Sequence, residues 1–226
     1  MPGRLVGAAI GAGLAAALAA GLGLYGFGPS GFGPSGLGLY GTGTGSGNGA
    51  DPCAGSAPAL ARIDAAARGD VAAMQAAEKP RPAPEIAFKG PGGADVRLSD
   101  FRGRLVLLNL WATWCAPCKA EMPALDRLEG ALGGRDFSVV AINLDTRSID
   151  RPPVWMAENG VTRLAYYADP GGRVLPAVQR DTGSPGLPTT LLIDSAGCTI
   201  GVMKGPAAWS GPDGLRLIRA ALAAPS

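Results

Sequence analysis

From residue 85 onward, hydrophobic residues occur in short runs separated by polar and glycine-containing segments. The runs Leu105–Trp111 and Phe137–Asn143 are apolar at nearly every position, which is typical of strands buried on both faces of a sheet. Between them, Lys119–Leu132 carries apolar residues at helical spacing and predicts an amphipathic helix. Strand and helix therefore alternate in this part of the chain.

The rest of this region continues the alternation. Two glycine-containing turns, Gly90–Gly93 and Asp194–Gly197, each predict a β-hairpin. The predicted hairpin strands lie at residues 86–88, 95–98, 189–193 and 199–203, a further short strand at 164–167, and helices at 153–160, 172–180 and 214–223. We therefore predict an α/β fold with a central mixed sheet and helices on both of its faces.

The segment before residue 85 has a different character. Ala57–Ala77 is rich in alanine and has the apolar spacing of one or two short helices, with Gly69 as a break. Pro80, Pro82 and Pro84 predict the end of that helical region. We therefore expect an N-terminal helical extension over residues 53–84 and a compact domain over residues 85–226.

The first fifty residues contain one charged side chain, Arg4. Leu5–Leu24 has no charge and is about as long as a helix that spans a bilayer, so we predict a membrane anchor within residues 1–24 with its N-terminus in the cytoplasm. A signal peptide cleaved near Ala17–Ala19 is the alternative, and either segment would place the rest of the chain outside the cytoplasm. The glycine-rich residues 25–52 predict a flexible linker.

Composition narrows the possible functions. A net charge of +2 gives no support for nucleic-acid binding. The sequence has no histidine, which excludes histidine general bases, histidine-containing nucleophile pairs and histidine-ligated metals. The four cysteines, Cys53, Cys115, Cys118 and Cys198, are therefore the main candidates for chemistry.

Cys115 and Cys118 form the most informative motif, Trp-Cys-Ala-Pro-Cys at residues 114–118. A CxxC between a buried strand and an amphipathic helix is the thioredoxin-like arrangement. At the first turn of its helix, Cys115 would have its thiolate favoured by unpaired N–H groups, so we predict it as the attacking sulfur. Cys118, one turn further in, would then release the mixed disulfide. The Ala-Pro dipeptide carries no cation to stabilise the reduced form strongly, which favours a reductant or a mild exchanger over a strong oxidant.

Three other residues are candidates near this motif. Glu121 follows Cys118 by three residues, so both lie near one helix face, where a partly buried carboxyl could carry a proton for the resolving thiol. A solvated surface glutamate is the alternative. Asn109, in the preceding strand, favours a structural hydrogen bond. Pro188 precedes a strand, and the thioredoxin-like interpretation predicts a cis peptide bond there.

Cys53 and Cys198 remain open from the residues alone, because an even pair is compatible with a structural bridge or with two unrelated buried thiols. A zinc site is disfavoured because there is no second CxxC motif and no histidine. Copper(I) binding by the Cys115 and Cys118 thiolates is a chemically sound alternative. A further alternative is an interaction domain whose disulfides are only structural.

Three stretches carry a resemblance to a known family. They are residues 110–125 (LWATWCAPCKAEMPAL), residues 139–147 (VVAINLDTR) and residues 187–190 (LPTT). From about Cys53 to its C-terminus, the chain resembles the thioredoxin superfamily and, within it, the membrane-anchored periplasmic branch of TlpA, ResA and the cytochrome-maturation reductases. The long N-terminal linker and the Ala-Pro dipeptide depart slightly from that pattern.

The resemblance implies a thioredoxin-like fold and a role for each candidate. Cys115 and Cys118 match the redox pair, Glu121 matches an acidic residue that tunes those thiols, and Pro188 matches the cis-proline that faces them. Cys53 and Cys198 match a second pair that joins the N-terminal extension to the sheet.

The same resemblance implies a location and partners. It places the protein in the inner membrane as a single-pass protein with its catalytic domain in the periplasm. The expected substrates are protein disulfides in a Sco-type copper chaperone and in oxidase subunit II, or in proteins of cytochrome c maturation. The expected electron donor is a membrane transporter of the CcdA or DsbD type, and no cofactor is expected.

Overall fold

In a computed structural model of the protein, which describes residues 51–223, eight strands form one sheet. The order across the sheet is β1-β8-β7-β4-β5-β6-β2-β3. The strands are β1 (Met74–Pro82), β2 (Ala87–Lys89), β3 (Asp95–Arg97), β4 (Leu105–Trp111), β5 (Phe137–Asn143), β6 (Tyr167–Ala168), β7 (Thr189–Ile193) and β8 (Cys198–Lys204). β5 runs parallel to β4 and β6, and every other pairing is antiparallel. The predicted mixed sheet is confirmed.

Strand β4 lies at the centre of the sheet, and all seven of its residues are buried. Its side chains alternate between two hydrophobic cores, with Leu107 and Trp111 on one face and Leu108 and Leu110 on the other. Burial of one leucine side chain contributes about 1.5–3 kcal/mol. The segment that follows β4 is therefore held by packing on both faces of the sheet.

Five α-helices flank the sheet within residues 51–223. They are α1 (Ala57–Ala66), α2 (Ala116–Leu132), α3 (Arg151–Glu158), α4 (Val174–Thr182) and α5 (Pro212–Leu222). Helices α1, α2, α3 and α5 contribute to the core on the Leu107 face, and α4 contributes to the core on the Leu108 face. Helix α2 begins three residues before the predicted start at Lys119, because Cys115 already occupies its N-cap position.

One sequence prediction is wrong. The helical region was predicted over Ala57–Ala77, with an end at the following prolines, but residues 74–82 form β1, which pairs with β8 at the edge of the sheet. An edge strand tolerates proline because its outer N–H groups have no partner strand. The register shifts between Ala76 and Arg81, so Pro80 lies in this irregular stretch, while Pro82 pairs opposite Cys198. The N-terminal extension therefore adds a strand to the sheet as well as helix α1.

The predicted anchor at Leu5–Leu24 and the predicted linker at 25–52 fall almost entirely outside the described residues. Between residues 51 and 223, no helix combines the length and the apolar character that crossing a bilayer requires.

Candidate active site

Cys115 and Cys118 lie where β4 passes into α2, and they form a disulfide. Cys115 is the N-cap of α2, and its sulfur accepts a hydrogen bond from the backbone N–H of Cys118 at 3.3 Å. A helix N-terminus favours negative charge, so this position favours the Cys115 thiolate once the disulfide opens. Cys118 is fully buried and Cys115 is 6% exposed, which makes Cys115 the more accessible sulfur.

The residues just before the disulfide are held by a buried carboxylate. Asp145 accepts hydrogen bonds from the backbone N–H and the hydroxyl of Thr113, both at 2.9 Å. Asn143 donates its side-chain amide to the same carboxylate at 2.7 Å. Asp145 follows β5, so this cluster ties the loop after β4 to the neighbouring strand. Trp114, between the clamped threonine and Cys115, is 68% exposed beside the reactive pair.

Glu121 is buried in α2, one turn after Cys118, and is not a solvated surface residue. Its Oε1 accepts a hydrogen bond from Asn109 Nδ2 at 2.8 Å. Its Oε2 accepts two more, from Ala207 N at 3.1 Å and from Trp209 Nε1 at 3.0 Å. Desolvation raises the pKa of Glu121 to about 7, although the three hydrogen bonds oppose that shift. Its carboxyl can therefore gain or lose a proton near neutral pH.

Asn109 connects this carboxyl to the sheet. It lies in β4 and is fully buried, and its Nδ2 also donates to Thr190 Oγ1 in β7 at 3.0 Å. Within the described residues, its Oδ1 has no hydrogen-bond partner. Asn109 therefore makes structural hydrogen bonds, as expected, and one of them is to a candidate site residue.

Pro188 lies beside the same end of β4. The Leu187–Pro188 peptide bond is cis. Because Leu110 pairs with Thr189, the antiparallel register places Pro188 level with Trp111, just before the dithiol loop. The carbonyl of Pro188 accepts a hydrogen bond from Gly205 N at 3.0 Å.

Cys53 and Cys198, which are 145 positions apart in the chain, form the second disulfide. Cys198 begins β8, and Cys53 directly precedes the short turn that leads into α1. Both residues are at least 98% buried. This bond joins the N-terminal extension to the sheet and lies apart from the Cys115 site in the topology.

The structure also brings to the site residues that the sequence analysis did not assign. Asp145, Ala207 and Trp209 each hold a candidate residue or the loop beside it. Asp145 lies within residues 139–147, one of the stretches that resemble the family, and that resemblance could have identified it. No sequence pattern could have identified Ala207 and Trp209, because their contacts with Glu121 depend on how the segment after β8 packs against α2.

No group of three or more cysteine, aspartate or glutamate residues within the described range is arranged to hold a metal ion. The two sulfurs of Cys115 and Cys118 are the candidate thiolate donors for a soft metal at this site.

Comparison with known proteins agrees with this geometry. The model of the AhpC/TSA family matches residues 80–200. The chain is 31% identical over 121 residues to the thioredoxin-like protein YneN of Bacillus subtilis, a match that covers 51% of this chain and 65% of that relative. It is 31% identical over 127 residues to the thiol-disulfide oxidoreductase ResA of Bacillus thuringiensis, covering 54% of this chain and 68% of that one. The matched part thus spans about two thirds of these curated relatives.

A solved structure shows the same fold. The crystal structure of a protein described as the thiol:disulfide interchange protein DsbE from Chlorobium tepidum superposes with a TM-score of 0.55 at 32% identity, covering 65% of this chain and 99% of that one. The family match covers more than half of the chain and includes the dithiol loop and the segment around Pro188. The chain therefore belongs to the AhpC/TSA family of thioredoxin-like proteins, and its similarities support the ResA/TlpA-like branch.

Proposed function

We propose that this chain is a membrane-anchored thiol–disulfide oxidoreductase that reduces disulfides in other proteins outside the cytoplasm. The observation that carries the proposal is the Cys115–Cys118 pair at the N-terminus of α2, with the more accessible sulfur at the cap. The thiolate is the reactive species in disulfide exchange, and a helix start favours it. The similarity to proteins named thiol-disulfide oxidoreductases adds support.

The reaction has two steps. The Cys115 thiolate attacks one sulfur of a substrate disulfide, and the other substrate sulfur leaves as a thiolate. Cys118 then loses its proton and attacks the Cys115 sulfur, which closes the disulfide and releases the second substrate sulfur. Two electrons pass from the dithiol to the substrate, and a separate donor must return them. Glu121, one turn from Cys118, can accept the proton that the resolving thiol gives up, because its pKa is about 7.

The surroundings of the pair favour a reductant over a strong oxidant. A strong oxidant has a strongly stabilised reduced form, and the Ala116–Pro117 dipeptide supplies no cation for that purpose. Pro117 also has no N–H group to donate to the Cys115 sulfur.

The proposed location and partners rest on the sequence pattern and on the family resemblance. The uncharged Leu5–Leu24 segment supports an anchor in the inner membrane with the dithiol domain in the periplasm. We infer that the substrates are proteins of copper-site assembly, namely a Sco-type chaperone and oxidase subunit II. Proteins of cytochrome c maturation are the alternative substrates, and a transporter of the CcdA or DsbD type is the proposed electron donor.

A trapping experiment tests this function. The Cys118→Ser variant can attack but cannot release, so we expect it to accumulate mixed disulfides through Cys115 in cells. Non-reducing electrophoresis and mass spectrometry of the captured proteins provide the measurement. The matched control is Cys115→Ser, which keeps a cysteine in the same motif at the buried position and should capture far less.

The captured proteins decide between the substrate classes. Copper-chaperone and oxidase peptides support copper-site assembly, and peptides from cytochrome c maturation support the alternative. If Cys118→Ser captures no protein in cells that keep it reduced, the proposed reductase function is wrong.

Copper(I) binding without turnover is a second candidate, because two sulfurs within one helical turn suit that ion. Titration of the reduced full chain with copper(I) separates the two. Tight binding of one ion per chain, with no reduction of a model disulfide, would favour the binding function.

A further inference from the structure

The segment between β8 and α5, residues 205–211, forms hydrogen bonds to two residues of the candidate site, Pro188 and Glu121. At its start, the backbone N–H of Gly205 donates to the carbonyl of Pro188 at 3.0 Å. Two residues later, Ala207 N donates to Glu121 Oε2, and Trp209 Nε1 donates to the same oxygen at 3.0 Å. The 205–211 loop is therefore hydrogen-bonded to Pro188, which is level with the end of β4, and to the carboxyl of Glu121, one helical turn after Cys118.

The conformation of this loop is fixed by its own residues. Gly205 has a φ of 115°, a backbone conformation that favours glycine, and this turn brings the chain from β8 toward α2. Gly214, in the first turn of α5, lies so close to the Trp209 backbone that an added Cβ would come within 2.1 Å of the Trp209 carbonyl oxygen. Trp209 itself is fully buried in the core that contains α2. The indole N–H therefore has a fixed direction, toward the carboxyl.

We propose that Trp209 is a positioning residue for the dithiol reaction, because its indole N–H and the Ala207 N–H hold the Glu121 carboxyl in place one helical turn beyond Cys118. This inference rests on the proposed function, since it concerns the proton that leaves the resolving thiol. Asn109 holds the other carboxylate oxygen from β4. The 205–211 loop thus connects the Glu121 carboxyl to Pro188 through hydrogen bonds to both.

A purely structural tryptophan would differ in one measurable way. The NMR chemical shift of an indole N–H that is bonded to a carboxylate changes when that carboxylate takes up a proton. The shift of an indole that only fills space does not change. The chain contains an internal control, Trp111, which is fully buried on the same face of the sheet. The Nε1 of Trp111 has no hydrogen-bond partner among residues 51–223.

The first test uses the unmodified full chain in detergent solution, labelled with ¹⁵N at tryptophan and kept in the disulfide form. In this form no thiol titrates and the chain has no histidine, so a change near neutral pH that depends on Glu121 reports on its carboxyl. We expect the Trp209 indole resonance to move with a midpoint near pH 7, the value expected for Glu121, while the Trp111 resonance stays constant. The movement should vanish in Glu121→Gln. A Trp209 resonance that is flat between pH 5 and 9 would overturn the inference, as would a movement that persists in Glu121→Gln.

The second test compares Trp209→Phe with Trp111→Phe, which also assigns the two resonances. Phenylalanine keeps a buried aromatic ring but has no N–H, so Glu121 loses one hydrogen bond that favours its charged form. We expect the midpoint of the Glu121 carboxyl, followed by ¹³C resonance, to rise by roughly one to two pH units in Trp209→Phe. Trp111→Phe should not change the midpoint of the Glu121 carboxyl. An equal shift in both variants would indicate a packing effect and overturn the positioning role.

The kinetic consequence separates this inference from the proposed function. With a model protein disulfide, the pH profile of the resolving step should move in Trp209→Phe in the same direction as the carboxyl midpoint. If the unmodified chain reduces no disulfide, the proposed function fails while the resonance tests still decide the contact. If it reduces disulfides but the Trp209 resonance is flat, only the positioning role fails.

Discussion

The two disulfides of this chain are the same chemical bond in two different settings. Cys115 and Cys118 are three positions apart at a helix start, next to an exposed Trp114. Cys53 and Cys198 are 145 positions apart, and both are at least 98% buried. The chain-entropy model gives the short loop about 2 kcal/mol and the long loop about 5 kcal/mol, as upper values. The Cys115–Cys118 bond closes a small loop and has one slightly exposed sulfur, which suits repeated opening, whereas the Cys53–Cys198 bond closes a long loop, which suits stability.

The largest effect on stability is therefore expected from the Cys53–Cys198 bond, which closes the longer loop. Replacement of both Cys53 and Cys198 by serine should lower the free energy of unfolding by up to about 5 kcal/mol. Denaturant unfolding of the full chain under non-reducing conditions measures this change. The dithiol chemistry at Cys115 should remain, because that site belongs to β4 and α2.

The matched control is the double replacement of Cys115 and Cys118 by serine, which should cost only about 2 kcal/mol. It should abolish disulfide reduction completely. Equal destabilisation by the two double variants would contradict the assignment of a structural role to one bond and a catalytic role to the other.

The second expected effect concerns the carboxyl of Glu121, which lies one helical turn after Cys118. The pKa of Glu121 rises from the usual 4.5 to about 7 because the folded chain removes the carboxyl from water. The folded state therefore binds this proton more tightly than the unfolded chain does. The resulting stabilisation is full below about pH 4.5 and is lost as the pH rises through 7, a change on the order of 3 kcal/mol.

Glu121→Gln should remove this part of the pH dependence, because the amide does not ionise. The amide also fits, since rotation of the Asn109 side chain would present its unpaired Oδ1 as an acceptor. Urea unfolding at several pH values between 4.5 and 8 gives the comparison. If the two proteins lose stability in parallel over that range, Glu121 is not the titrating group.

The smallest effect is expected at the loop that presents the reactive bond. Thr113→Val removes the hydroxyl bond to Asp145 but keeps the backbone N–H bond, so we expect a loss of about 1–2 kcal/mol. The rate of Cys115 alkylation should also change in Thr113→Val, because the hydrogen bonds between Thr113 and Asp145 fix the backbone just before the CxxC motif. Thr162→Val, at an exposed threonine, is the control, and the same loss there would show that the Asp145 contact contributes nothing particular.

Not all of the fold could be predicted from local pattern. The central strands and α2 were predicted because uninterrupted apolar runs and helical spacing are local properties. Strand β1 was missed because Pro80 and Pro82 disfavour an interior strand, and only the sheet order shows that this strand lies at an edge. Sequence spacing has no information about which strand ends a sheet.

The candidate site also has one part that local sequence predicted and one part that it did not. The CxxC pair between a strand and a helix was determined by the sequence itself, because its chemistry needs only two thiols one helical turn apart at a helix start. Whether Glu121 is solvated or buried was left open, since helical spacing places it on one face but does not say what covers that face. The loop that carries Ala207 and Trp209 covers it, and these residues are 86 and 88 positions away in the chain.

By itself, then, the sequence determined the strand–dithiol–helix unit, the absence of histidine chemistry and the family resemblance, because each depends on residues that are near one another in the chain or on composition. Only the tertiary structure decided the burial and raised pKa of Glu121, the hydrogen bonds from Thr113 to Asp145 and the edge position of β1. Each of these depends on desolvation or pairing by distant segments, and burial is a property of the assembled sheet and helices.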